Sequence, residues 1–141
     1  MKENKFDYYS NFTEGFAAVR LNNKWNYINK QGKLLSKQWF ACCWSFHEGF
    51  AIVMVSDKCN FIDKQGKLLS NTWYDFCYPF KEGFAAVKLD GKWNYIDCHG
   101  YLLSDTWFDF CGDFREGFGI LLIDGIRKII NIKGEILDEK N

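Results

Sequence analysis

From Glu82 to Gly100 the chain alternates short apolar runs with pairs of turn-forming residues. The run Phe84-Ala85-Ala86-Val87-Lys88-Leu89 ends at Asp90-Gly91, and Trp93-Asn94-Tyr95-Ile96 follows. Aromatic and β-branched residues on either side of a two-residue Asp-Gly step predict a β-hairpin. The equivalent steps are Asn22-Asn23, Ser56-Asp57 and Asp124-Gly125, all residue types that tolerate or assist positive φ. A second turn is predicted at Asp63-Lys64-Gln65-Gly66, where a type I turn closes on a left-handed glycine. The third strand expected is Lys67 to Leu69. Trp73-Tyr74-Asp75-Phe76-Cys77 is the fourth, before Pro79 and Glu82-Gly83 turn the chain onward. The local pattern is thus a β-meander.

The pattern recurs. Glu-Gly-Phe begins at Glu14, Glu48, Glu82 and Glu116, each 34 residues after the last. Trp25-Asn26-Tyr27-Ile28, Cys59-Asn60-Phe61-Ile62 and Trp93-Asn94-Tyr95-Ile96 keep the same phase, as do Gly32, Gly66, Gly100 and Gly134. That period is shared with a common helical repeat, but two-residue hairpin signals favour strands. The expected fold is all-β: one domain, 1–141, of four 34-residue antiparallel meanders with units at 14–47, 48–81, 82–115 and 116–141. The last unit lacks its fourth strand, and Phe6-Asp7-Tyr8-Tyr9 lines up with Phe108-Asp109-Phe110-Cys111. Residues 5–13 therefore complete unit four in the leading reading, closing a small propeller-like ring. Asn141 and Lys5 fall in the phase of Trp39, which makes the two ends complementary. The alternative is an open, solenoid-like array, favoured by polar drift in unit four, with Arg127 at the Trp25 position.

The run Glu-Gly-Phe-Ala-x-Val, then Lys-Trp-Asn-Tyr-Ile, then a Gly four residues on, resembles the bacterial WG-repeat family from Phe6 to Leu137. Where that family has Trp-Gly, this chain has Trp25-Asn26 and Trp93-Asn94. Asn is among the few non-Gly residues enriched at positive φ, so the change is mild for the backbone but adds a side chain. The resemblance implies a tandem-repeat interaction module without catalytic residues to carry over. A weaker similarity, to choline-binding cell-wall repeats, rests on Trp and Tyr just before a Gly turn, as in Trp25 to Gly32.

Composition narrows the classes. The chain is 48% apolar with a mean hydropathy of −0.29, as interleaved strands require. Lys plus Arg and Asp plus Glu both total 18, so no net field attracts nucleic acid or an anionic membrane. Neither a membrane-length apolar run nor the pattern of a signal peptide is present, and six Cys in such a chain read as reduced thiols in the cytoplasm.

Catalysis needs unlike groups converging on one point. His47 occupies the slot of Thr13, Lys81 and Arg115, and His99 a turn slot, so both read as solvated. Cys43, Cys77 and Cys111 share a phase without the paired spacing of a zinc site, and they read as small core hydrophobes. No cofactor or metal is expected, although a closed ring with these thiols inward would bring them toward Tyr9. The recurring Glu14, Glu48, Glu82 and Glu116 read as locks that accept backbone N–H bonds around tight connections. Phe12, Phe46, Phe80 and Phe114 read as core.

Recognition is expected where units disagree, since packing enforces sameness. Trp44, Tyr78 and Gly112 share one such slot. Trp39, Trp73 and Trp107 near the strand edge, with the acidic Asp75 and Asp109, complete the expected surface. The functional expectation is a non-enzymatic binding module for a protein partner. A pocket for a sugar, quaternary amine or nucleotide is the alternative.

Overall fold

The computed structural model describes residues 5–138 and shows two compact units, Met1–Trp73 and Tyr74–Asn141. The described residues form strands and turns without a helix, hence none able to cross a membrane. Met1 to Asn4 of the leader reading and Asn141 of the phase argument lie outside the described residues.

In the first unit, β1 (Tyr8–Tyr9), β2 (Ala17–Leu21) and β3 (Lys24–Ile28) form one antiparallel sheet. Strands β4 (Cys42–Cys43), β5 (Ala51–Val55) and β6 (Lys58–Ile62) form another. The second unit holds a third sheet of β7 (Phe76–Cys77), β8 (Phe84–Leu89) and β9 (Lys92–Asp97). Its other sheet is β10 (Phe110–Cys111), β11 (Phe118–Ile123), β12 (Ile126–Asn131) and β13 (Ile136–Asp138). The protein is therefore all-β, built of four small antiparallel sheets.

The long hairpins sit where the turn chemistry puts them. Asn22 and Asn23 have φ of 54° and 64°, while Asp90-Gly91 and Asp124-Gly125 are positive at both positions, the twist-matched geometry of a two-residue hairpin. In the Ser56-Asp57 step of the second sheet only Ser56 is positive, at 56°.

The grouping of strands differs from the sequence expectation. Each short strand, read as the end of one meander, pairs with the hairpin that follows: Phe76 opposite Lys88, Phe110 opposite Leu122, Cys42 opposite Met54. Tyr8–Tyr9, expected to complete the last unit, likewise pairs with Arg20 and Val19 of β2. The cause is the Glu-Gly step, which is itself a tight hairpin turn. Glu14, Glu48, Glu82 and Glu116 have φ between 50° and 53°, each followed by a positive-φ glycine. Bridges Thr13 to Phe16, His47 to Phe50, Lys81 to Phe84 and Arg115 to Phe118 close the four turns. Two residues before β4 and β10 the chain faces the other way, Phe40 bridging Trp25 and Phe108 bridging Trp93, so in each unit the segment ties one hairpin to the next. The expected third strand is a single bridge, Leu34 to Ile28 or Leu102 to Ile96, except in the last sheet, where it is β13.

Each unit has its own core. In the first, Tyr27, Phe40, Phe46, Ala51, Val53 and Ile62 pack together; in the second, Trp93, Tyr95, Phe108, Cys111, Phe114, Leu121 and Ile130 do. Phe46, Phe80 and Phe114 are buried as expected, but Phe12 is 46% exposed, a correction. Phe46 is covered by Phe16 and Tyr27 of the preceding sheet, at 4.9 and 5.1 Å between ring centroids, and no described residue takes that place over Phe12.

Candidate functional site

The third sheet carries a continuous aromatic face. Its register sets Phe76 of β7 opposite Lys88 of β8, and Lys88 opposite Trp93 of β9, so the three form one cross-strand row. Side chains directly opposite in antiparallel strands touch, and this row does. The Lys88 ammonium lies 5.7 Å from the Trp93 ring centroid, and Phe76 lies 6.0 Å from it. Tyr78, two residues along the same strand direction, stacks on Trp93 at 5.4 Å and 13°, and Phe110 meets its edge at 5.5 Å. Trp93 is buried beneath while Phe76 and Phe110 remain 48% and 36% exposed. The first sheet repeats the row in Tyr8, Arg20 and Trp25, with Tyr8 at 5.5 Å and the guanidinium at 5.9 Å from the indole. In the second sheet the row is Cys42, Met54 and Cys59, and in the fourth Phe110, Leu122 and Arg127.

The residues expected to line the surface divide. Tyr78 belongs to the aromatic face. Trp44 is 47% exposed on the second sheet, its carbonyl accepting the Tyr27 hydroxyl at 2.5 Å. Trp39 is half-buried 6.3 Å from Phe6, Trp73 packs on the core of the first unit, and Trp107 is half-buried. Asp75 and Asp109 have backbone tasks. Asp75 accepts the Asp90 N–H at 2.8 Å, and Asp109 the Asp124 N–H at 2.8 Å, each holding the hairpin turn 15 residues on. Asp109 also pairs with Lys92 at 2.5 Å. The lysine and the Asp124 N–H hold the Asp109 carboxyl below its ordinary value, and Asp109 in turn raises Lys92.

Glu14 locks as expected, but to the next sheet: its two oxygens accept the N–H groups of Glu48 and Gly49, both at 2.9 Å, and Lys64 lies at 3.4 Å. Glu82 does the same to Glu116 and Gly117, again at 2.9 Å each. Desolvation works to raise the Glu14 carboxyl, but the Gly49 N–H, Lys64 and the Glu48 N–H outweigh it and lower its pKa. The thiols are quiet. Burial pushes Cys43 up to about 11 and Cys111 to about 12, which keeps both protonated near neutral pH.

Two features went unseen in the sequence. Phe76, Trp93 and Phe110 assemble only through strand register, although the slot of Tyr8, Cys42, Phe76 and Phe110 varies between copies just as the Trp44 slot does. Asn26, Asn60 and Asn94 are fully buried strand residues outside the positive-φ set, so the backbone reading of the Gly-to-Asn change is corrected. Asn94 Oδ1 accepts the Tyr95 N–H at 2.7 Å while Nδ2 donates to the Ser104 carbonyl at 2.9 Å, and Asn26 and Asn60 repeat this with Ser36 and Ser70. The signal was a Ser ten residues after each Asn.

Small antiparallel sheets of one recurring pattern, joined within each unit by carboxylate locks and, in the first three, each braced by a buried asparagine, define a repeat β protein. The chain belongs to the WG containing repeat family, whose model matches residues 5–25, 27–59 and 61–93. No curated protein matches it. Among solved structures, Kluyveromyces lactis Hsv2 aligns at 10% identity and a TM-score of 0.48, over 92% of this chain and 50% of that one. A protein of unknown function from Bacteroides caccae aligns at 14% and 0.38, over 99% and 62%, and a Cicer arietinum lectin with two metal binding sites at 12% and 0.34, over 98% and 92%. The chain spans about half the length of the Hsv2 structures it matches.

Proposed function

We propose that this chain is a non-enzymatic binding module that receives a protein partner on the aromatic face of its third sheet. The observation that carries the reading is the exposure of Phe76 and Phe110 on either side of a buried, cation-capped Trp93. Rigid aromatic anchors around a desolvated centre are what a partner's side chains pack against. Support for a non-enzymatic role comes from the Glu14, Asp75 and Asp109 carboxylates, which are committed to backbone N–H groups, and from the raised Cys43 and Cys111 thiols. Cys42, Cys43, Cys98 and Cys111 carry no disulfide, which suits a reducing compartment such as the cytoplasm.

The small-ligand alternative has a counterpart in a cleft of about 220 Å³ lined by Phe6, Tyr9, Phe12, Ile28, Lys30 and Gly32 among others. Lys30 sits 6.0 Å from the Phe12 ring centroid, so a cation already covers the face a quaternary amine would need. The protein reading is tested with the double variant Phe76→Ser/Phe110→Ser immobilised beside the native chain. Loss of captured partner at an unchanged melting temperature is the expected result; equal capture by both proteins sinks the assignment.

A further inference from the structure

The cross-strand row of the second sheet departs from its counterparts at every position. In the first and third sheets the row is an aromatic ring, a cation and a tryptophan: Tyr8, Arg20 and Trp25, then Phe76, Lys88 and Trp93. In the second sheet it is Cys42 of β4, Met54 of β5 and Cys59 of β6. Residues directly opposite in antiparallel strands share a face, with Cβ atoms about 5 Å apart, so two thiols flank one thioether. The neighbouring position changes as well. Asp7, Asp75 and Asp109 each accept the N–H of a hairpin turn beside their row, whereas Ala41 stands in that place, its N–H donating to the Met54 carbonyl at 2.8 Å.

Every one of these changes moves the row toward the same chemistry. Met54 in place of Arg20 or Lys88 removes a positive charge, Ala41 in place of Asp removes a hard oxygen donor, and three soft sulfur donors come in. Packing alone does not ask for sulfur three times: the fourth sheet fills the Met54 position with Leu122. Nor does the pair serve as a disulfide. Two inter-strand steps of about 4.8 Å set the Cys42 and Cys59 backbones roughly 9.6 Å apart, beyond the roughly 7 Å that a disulfide spans. The gap suits a metal ion held between the two sulfurs, each metal–thiolate bond being about 2.3 Å long, with the Met54 thioether at the centre of the row. Among the described residues no three His, Cys, Asp or Glu side chains form a metal-binding group, so the thioether is the third ligand. A set of two thiolates and one thioether, without nitrogen or oxygen, selects monovalent copper over zinc, which takes four ligands in a closed site.

We propose that Cys42, Met54 and Cys59 bind one Cu(I) ion across the second sheet. Each thiol releases its proton as the ion binds, and the ion staples the two-residue strand β4 to the β5–β6 hairpin. All three residues belong to the first compact unit, so the site stands or falls independently of the partner face in the second.

Anaerobic titration of the reduced Cys98→Ser chain with Cu(I), against a colorimetric Cu(I) chelator, tests it; the substitution removes the exposed thiol. Uptake of one ion per chain is expected, with a rise in melting temperature. Trp44 follows Cys42 by two residues and its N–H pairs with the Ile52 carbonyl, so it lies on the same face and reports the ion. Partial quenching of tryptophan fluorescence is expected, and Trp44→Phe is expected to remove it. The swap Cys42→Phe/Met54→Lys/Cys59→Trp, which installs the row of the third sheet, is expected to keep the fold and lose uptake. Met54→Lys alone, which returns a cation to the centre of the row, is expected to lose uptake too and decides the matter if the swap does not fold. Copper left with the chelator by the Cys98→Ser chain, uptake that survives Met54→Lys, or displacement of the bound ion by equimolar zinc overturns the proposal.

Discussion

A fully buried asparagine in mid-strand is expensive unless every polar atom it brings is satisfied. Asn94 meets that condition by bonding the neighbouring Tyr95 N–H and the Ser104 carbonyl, so the connection after β9 is fixed from inside the sheet. Ser104 extends the fixture, its hydroxyl accepting the Thr106 N–H at 3.0 Å. Removing the amide in Asn94→Ala leaves a buried N–H and a carbonyl without partners, an expected loss of about 2–3 kcal/mol in urea unfolding. Asn94→Gly, the residue usual at this place in the family, separates the two explanations of the substitution. If the position were a backbone matter, glycine would be neutral; with the side chain as the lock, glycine costs at least as much as alanine.

At the scale of the element, the Glu-Gly turn joins sheets through a residue in an unfavourable conformation. A non-glycine residue at positive φ costs roughly 1–2 kcal/mol, and Glu14, at 51°, carries that cost while its carboxylate holds two N–H groups of the following turn. Charge-assisted bonds of this kind offset such a cost. Because the folded-state pKa of Glu14 is depressed, its contribution is present above the ordinary value of 4.5 and is lost as the pH falls through the lower folded value. Glu14→Gln is therefore expected to destabilise most near neutral pH, with the difference from the native chain shrinking below pH 4.5, measured by thermal melts across pH. The sequence made the lock legible but misplaced its far end. Repetition of Glu pointed to a structural job, whereas the N–H donors that its carboxylate accepts lie 34 residues on, a distance that local turn rules do not reach. The hairpins were legible for the opposite reason: their turn residues and their strands are neighbours in sequence. The grouping of short strands was missed because Glu-Gly was read as a connection, not as a hairpin turn, and the aromatic face because strand register alone brings Phe76 and Lys88 to Trp93.

For the whole molecule, the thiols report on integrity unit by unit. Cys98 is exposed, while Cys43 lies in the core region of the first unit and Cys111 in that of the second, both with raised pKa. Alkylation of the native protein at mildly alkaline pH is expected to modify Cys98 rapidly and to spare Cys43 and Cys111 until denaturant is added, as read by peptide mass spectrometry. The pairing pattern has a kinetic consequence as well. Among the described residues no strand pairing or bridge spans more than the 15 residues from Trp25 to Phe40 or from Trp93 to Phe108. Loop-closure entropy is small for such short spans, so each sheet condenses around its own hairpin without waiting for a distant partner. An all-β chain wired in this way escapes the slow search that long-range strand pairing imposes, and it folds at a pace closer to that of helical proteins.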